Sequence, residues 1–411
     1  MADSESIENL DRCDPLAPLR GEFALRDGLI YLDGNSLGPP PRTAAQRIAR
    51  MVDVEWKDGL ITSWLAADWS SSPRRVGDKI APLIGAAPGE VIAADSTSIN
   101  LFKCMAAALS LRPGRRAILS EAGNFPTDLY MMQGLENFTD GRIAARIVAA
   151  DQVLESLDDD VAAVVLTQVH YKSASIRDLA AVTRRVHDAG ALMIWDLSHS
   201  AGSIPVDLNA AGADFATGCG YKFLNGGPGA PAFMFVAARH QGQSQAVLSG
   251  WFGHRDPFAF TDDYQPAADI QRFLCGTPTV LGLIALECGV EVFHQTDMQA
   301  LRRKAQRLGR LFIDLMSERC SGYGFDLASP DDDELRGGHV SFRHPHGYEI
   351  MQALKANDVI GDFRAPDILR FGVTPLYLRY MDISNAVDII HDTMAKSLWD
   401  RDAYRIRTGF T

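Results

Sequence analysis

The sequence predicts an α/β fold: a large, mostly parallel sheet flanked by helices, followed by a smaller C-terminal α+β unit. Three observations carry that expectation. Short apolar runs of strand length alternate with helical patterns from about residue 61 to residue 238. Polar residues stand directly after several of those runs, where open α/β sheets place their ligands. The last third then mixes short strands with helices.

Along the chain, residues 23–31 read as a hairpin-like piece turned by Asp27-Gly28, and the Gly/Pro-dense stretch 33–41 reads as a rigid loop. Strands are predicted at 91–94, 117–120, 161–167, 191–195, 214–217 and 232–236. Residues 95–98 offer cap side chains to a helix over 99–109. A second helix is expected from Ser175, with Ile176, Leu179, Val182 and Val186 at helical spacing and Gly190 as its stop. Helices over 279–293 and 298–319 follow, then strands at 339–343 and 368–373 and helices at 348–357 and 384–397. The expected division is an N-terminal segment 1–60 packing with the small domain, a large domain 61–285 and a small domain 286–411.

Composition narrows the function. The 411 residues are 46% hydrophobic and 22% charged, an ordinary globular balance rather than a disordered one. No apolar run approaches the ~20 residues of a membrane span, so no membrane partner is expected. A net charge of −12 without a basic block makes nucleic acid a poor partner. The acidic, polar N-terminus has neither the basic start nor the apolar core of a secretory signal. The six cysteines include no CxxC pair and the histidines no HExxH, so reduced thiols, a cytoplasmic location and no metal site are expected.

Asp196 ends the run ALMIWD, and a carboxylate there needs a partner if buried; by itself it reads first as a turn cap. Lys222 lies in ATGCGYKFLNGGPG, where glycines let a backbone approach a ligand and partly apolar neighbours favour a nucleophilic amine. The bland reading is an incidental loop lysine. Together the two fit an enzyme of pyridoxal 5'-phosphate (PLP), which needs a lysine for its aldehyde and an acid for its ring nitrogen. Thr97 and Ser98, at a helix start, suit a phosphate. Phe125 in NFPTD suits ring stacking, Asp128 a hydrogen bond to the ring, and His199 a place beside Asp196.

These motifs resemble one family. DGNSLG (33–38), NFPTD (124–128), WDLSHSAG (195–202), GYKFLNGGPG (220–229), the WF pair 251–252 and LRFGVTPLY (369–377) look like kynureninase, and the resemblance runs from residue ~30 to residue ~400. It implies PLP fold type I in the aminotransferase class V architecture. Lys222 would hold PLP and move protons, with Tyr221 and Asp196 as further catalytic groups. Thr97, Ser98, Tyr221 and Trp251 would bind the phosphate, with Thr277 contributed by a neighbouring subunit. Phe125, Asp128, Thr167, Asp196 and His199 would surround the ring. Arg370 would clamp the substrate carboxylate, and Asn35, Trp64 and His254 are candidates for the rest of the substrate. The implied reaction is hydrolysis of L-kynurenine, with 3-hydroxykynurenine as a second candidate, to anthranilate and L-alanine by a homodimer in tryptophan catabolism and NAD biosynthesis. A cysteine desulfurase or an aminotransferase would share the fold and Lys222, but residues 321–369 lack the desulfurase's loop cysteine. A non-catalytic PLP-fold protein is disfavoured by the joint presence of Lys222, Asp196 and Arg370.

Overall fold

The computed structural model describes residues 4–407; the outermost residues of both flanking segments lie outside this range. Among the described residues the strands are β1 (Ile30–Tyr31), β2 (Val91–Ala93), β3 (Ala117–Glu121), β4 (Ala144–Val148), β5 (Val161–Thr167), β6 (Leu192–Asp196), β7 (Phe215–Gly218), β8 (Phe233–Val236), β9 (Asp326–Leu327), β10 (His339–Arg343), β11 (Val359–Ile360), β12 (Asp362–Arg364) and β13 (Ile368–Gly372). Seven form one sheet in the order β2-β8-β7-β6-β5-β3-β4. Its four pairings from β7 to β4 are parallel, and both pairings of β8 are antiparallel. The predicted mixed, mostly parallel sheet is therefore present. Strands β5 to β8 are buried along their whole length, as both-face coverage demands.

A four-stranded antiparallel sheet, β12-β13-β10-β9, holds the C-terminal strands. The helices Met298–Cys320 and Tyr380–Ala395 pack closely against one another. Their apolar faces place Leu308, Phe312, Ile383 and Val387 in the same core as Val340, Phe342 and Phe371 of that sheet.

Two local expectations give way to tertiary pairing. The hairpin over 23–31 does not form. Asp27-Gly28 is a turn, but Phe23 bridges to Pro41, and β1 pairs in parallel with β11 from the far end of the chain. The helix expected from Ser175 begins at Leu179. Ser175 and Ile176 are drawn into bridges to Arg336 and Val169, and Asp178 caps the helix by accepting from the Ala181 N–H at 2.9 Å. The motif NFPTD opens the helix Pro126–Phe138, with proline in its first turn.

Candidate active site

Strand register assembles the first part of the site. Thr167, Asp196 and Thr217 are neighbours across β5, β6 and β7, at the carboxyl ends of the strands. All three are buried. Asp196 Oδ1 accepts from the Ser198 N–H at 2.7 Å and from the Ser198 hydroxyl at 2.5 Å. Burial raises the Asp196 pKa, and Ser198 and Lys222 only partly oppose it. The Thr167 hydroxyl is buried and finds no hydrogen-bond partner among the described residues.

Lys222 follows β7 in a buried loop, its Nζ 5.5 Å from the centre of the Phe125 ring and 5.9 Å from that of Tyr221. Asp128, in the first turn of the helix Pro126–Phe138, is fully buried with both carboxylate oxygens unpartnered. Burial, then the nearby Asp196 and Cys219, push its pKa well above the carboxylate range. His199 is buried with its Nε2 unpartnered, and burial together with Lys222 and Arg370 holds its ring neutral. Ser96, rather than Thr97, is the cap of the helix Thr97–Leu111, accepting from the Ile99 N–H at 3.4 Å. That leaves Thr97 and Ser98 in the first turn, with the Thr97 hydroxyl 3.2 Å from Cys219 Sγ. Burial, then Cys219, raise the Tyr221 pKa, so its phenol is a proton donor near neutrality.

Among the described residues this cluster contains buried polar atoms left without a hydrogen-bond partner within normal distance, on Asp128, His199 and Thr167. Leaving such atoms bare is costly. A polar aromatic group with hydrogen-bonding atoms at its rim, placed beside Lys222 and Phe125, would meet them. The donor set therefore fits PLP.

A second group lies beside the first and is joined to it by Tyr171. The Tyr171 ring meets Phe125 edge-on at 5.2 Å, and its carbonyl accepts from Arg370 Nη1 at 2.5 Å. Arg370, on β13, is 1% exposed. Its Nε donates to Asp362 Oδ1 at 2.7 Å, and its Nη2 donates to Asp362 Oδ2 and, at 3.0 Å, to Ser36 Oγ. The carboxylate that Arg370 grips here is internal. Arg364 Nη2 is 2.7 Å from the same Asp362, and Ser36 donates to that carboxylate at 2.7 Å. Burial lifts the Asp362 pKa, but Arg370 and Arg364 outweigh it and leave it below the usual range. Asn35 is buried with its amide unpartnered.

Asp33, buried beside Asp362 and both arginines, has its pKa raised to about 7 by burial and by Asp362. Sequence reasoning did not single out Asp362, Arg364, Ser36, Asp33 or Tyr171. One signal was available for two of them. In a strand, Asp362 and Arg364 share a face, and such a charged pair beside a buried strand asks for partners.

Four further residues lie on an aromatic surface. Trp251 is exposed and packs with Phe252 at 4.7 Å and Phe258 at 5.9 Å. Trp64 meets Phe252 at 6.3 Å and, with Trp69 and Thr277, lines an apolar groove of about 380 Å³. His254 Nδ1 is 2.7 Å from the Asp256 carbonyl, and its ring centre is 5.9 Å from that of Tyr264.

Comparison with known proteins matches the sequence to one family. Residues 301–390 match the model of the kynureninase C-terminal domain. A kynureninase of Burkholderia pseudomallei (strain 1106a) is 50% identical over 416 residues, covering all of both chains. One from Pseudomonas fluorescens is 47% identical, covering 98% of each. Among solved structures, a cysteine desulfurase of Escherichia coli superposes with a TM-score of 0.78 at 18% identity, over 93% of this chain and 98% of that one. A cysteine desulfurase from Thermococcus onnurineus NA1 gives 0.76 at 17%, over 92% and 98%. At such identities the desulfurases share the fold alone, whereas identity near one half over the full length, on a chain carrying Lys222, Asp196 and Arg370 in these positions, places it in the kynureninase family of PLP enzymes.

Proposed function

We propose that the chain hydrolyses L-kynurenine to anthranilate and L-alanine, with 3-hydroxykynurenine as a second substrate. The observation that carries the reading is the buried cluster of Lys222, Asp196, Asp128 and His199 beside the Asp362–Arg370 pair, in a chain about half identical to curated kynureninases. When bound, PLP supplies an aldehyde that captures the substrate amine and a protonated ring that accepts the electrons of breaking bonds.

Lys222 holds the cofactor and moves the proton at the substrate's α-carbon. Asp196 keeps the ring nitrogen protonated, a task for a carboxylate already fixed in orientation by Ser198. Phe125, Asp128, His199 and Thr167 would surround the cofactor ring when it is bound. Thr97, Ser98 and Tyr221 bind the phosphate. Tyr221, kept protonated by burial, donates at the substrate's γ-carbonyl oxygen when water adds there. Asn35 serves the substrate side with Arg370. The exposed Thr277 groove supports a homodimer in which a second copy of the chain brings Thr277 to the phosphate, beside Trp251, with Trp64 and His254 near the aryl end. A cytoplasmic enzyme of tryptophan catabolism fits this chemistry, its products serving catabolism or NAD synthesis.

The test is incubation with L-kynurenine and with 3-hydroxykynurenine, following the fluorescence of the aryl product and assaying alanine in equal amount. Borohydride reduction followed by digestion should place the pyridoxyl label on Lys222, and Lys222→Ala should lose turnover. Unequal products, or a label on another lysine, would overturn the reading.

A further inference from the structure

A buried lysine that the chemistry above leaves unused is joined to the phosphate side of the site. Lys103 lies on the helix Thr97–Leu111 with its side chain 1% exposed. A lysine is almost never buried so fully unless it is paired. Long side chains on a helix run back toward its start, and Lys103 reaches that way for both of its partners. Its Nζ donates to Asp95 Oδ2 at 2.5 Å and to the Phe273 carbonyl at 2.5 Å. A methionine would fill much the same volume; what the lysine adds is these two directed, charge-assisted bonds.

Each acceptor belongs to a segment that leads to the phosphate residues. Asp95 directly precedes Ser96, Thr97 and Ser98. Its φ of 52° is left-handed and its carbonyl accepts from the Ala232 N–H at 2.9 Å, so the chain turns from β2 into the helix at this residue. Phe273 is fully buried and closes the short 3₁₀ turn Ile270–Phe273. Two residues later the Cys275 carbonyl accepts from the Phe252 N–H at 3.2 Å. Gly250 lies so close to Cys275 that any Cβ there would collide with that carbonyl. The turn Trp251–Gly253 therefore rests on the segment that Lys103 holds, and the same segment runs on to Thr277. One ammonium ties the start of the helix to the seat of Trp251.

We propose that Lys103 is a positioning residue for the cofactor phosphate: by holding Asp95 and Phe273 to one point, it fixes the spacing between Thr97 and Ser98 on one side and Trp251 on the other. The inference rests on the reading that places those three residues around the phosphate. It differs from a merely structural role in what it predicts. A lysine that only braced the core would act on stability and on every ligand alike, whereas one that sets the phosphate residues acts on ligands that carry the phosphate.

The experiment titrates the full-length chain, stripped of its cofactor, with PLP and with pyridoxal, which has the same ring and aldehyde and no phosphate. Lys103→Met should raise the Kd of PLP about 10- to 100-fold and leave that of pyridoxal within about threefold. The double variant Lys103→Met/Asp95→Asn removes the charge pair as a whole, so no bare carboxylate is left behind. It should show the same selective loss, and it decides by the same ratio where the single variant does not fold. Asp214→Asn breaks a buried link before β7, at the opposite end of the sheet from Asp196. It should lower the melting temperature and leave the ratio of the two Kd values unchanged. Equal weakening of both aldehydes by Lys103→Met, or unchanged affinity for PLP, would overturn the proposal. Thr97→Ala tests the assignment beneath it and should also weaken PLP selectively. Should it not, the phosphate reading of Thr97 falls, and the ratio measured for Lys103→Met still decides the role of Lys103.

Discussion

Replacing Gly38 by alanine tests whether the DGNSLG loop shapes the lysine loop or merely passes beside it. The Gly38 N–H donates to the Tyr221 carbonyl at 2.8 Å. A Cβ at this position would collide with the Lys222 carbonyl oxygen and with Asn225 Oδ1, and would lie 2.7 Å from Asn225 Cα. Ordinary carbon contacts begin near ~3.5 Å, so about 1 Å must be found. Asn225 has little freedom to supply it. Its backbone N–H is bonded to the Lys222 carbonyl, its side chain to the Phe223 carbonyl, and its φ of 58° is already in the left-handed region. The displacement therefore passes to Lys222 and Tyr221. Overpacking of this size costs about 1–3 kcal/mol of stability, and a shift near 1 Å at a reacting group costs roughly 100-fold in rate. Gly28→Ala is the matched control. Its φ is 79° with nothing near the added carbon, so it pays about 1–2 kcal/mol in backbone strain far from the lysine. Urea midpoints, the visible band of the bound cofactor and kcat should be measured for both. Comparable stability losses with a rate defect only in Gly38→Ala are expected. A Gly38→Ala enzyme that turns over normally would refute the coupling.

Three other outcomes follow from buried charges. Asp214 accepts from His187, His240 and Arg239 at 2.7 Å each and from the Met193 N–H at 2.8 Å, and these partners overcome burial to depress its pKa. Asp214→Asn should cost about 3 kcal/mol near pH 7. Because a depressed carboxylate stabilises above its unfolded pKa of ~3.9 and loses that effect as pH falls, the gap to the unsubstituted protein should close below about pH 4. A gap of the same size at pH 3 would count against it. Asp33 behaves in the opposite sense: burial, then Asp362, raise its pKa to about 7, against the relief offered by Ser36, Arg370 and Arg364, with Lys355, Tyr31 and Tyr377 also facing it. Stability should therefore fall as pH rises from ~4 to ~7. Asp33→Asn, which mimics the protonated acid, should match the unsubstituted protein below about pH 4 and exceed it by roughly 3–4 kcal/mol at pH 8; denaturant midpoints that differ equally at about pH 3.5 and pH 8 would sink this. Arg370→Lys cannot span both oxygens of Asp362 and should lose about 3 kcal/mol of stability together with affinity for kynurenine. An unchanged melting temperature would show that Arg370 is not the pillar described.

The central sheet was legible because β5 to β8 are buried on both faces, so burial writes itself as continuous apolar runs. Strand β4 was missed for the converse reason: it is an edge strand, half-buried, and AARIV carries no such run. The two-residue strands β1 and β11 have no local signature at all, since each exists only through the other. Asp196 and Lys222 were legible in the same way as the sheet, one closing β6 and the other following β7. The partners of Arg370 were not. Ser36 and Tyr171 reach it from loops 334 and 199 residues away, and no periodicity links such distances.

The pairing of β1 with β11 also sets an order of events during synthesis. Ile30 waits for Val359, 329 residues later in the chain, which at ~5–20 residues per second is roughly 16–66 s. Over that interval every strand of the seven-stranded sheet, up to Val236, has left the ribosome. A chain halted near residue 300 already carries Lys222, Asp196, Asp128 and His199, and has neither Arg364 nor Arg370. The Lys222 cluster is thus complete in sequence before either arginine of the small sheet has been made, so the two halves of the site come together only after synthesis of the large sheet has ended.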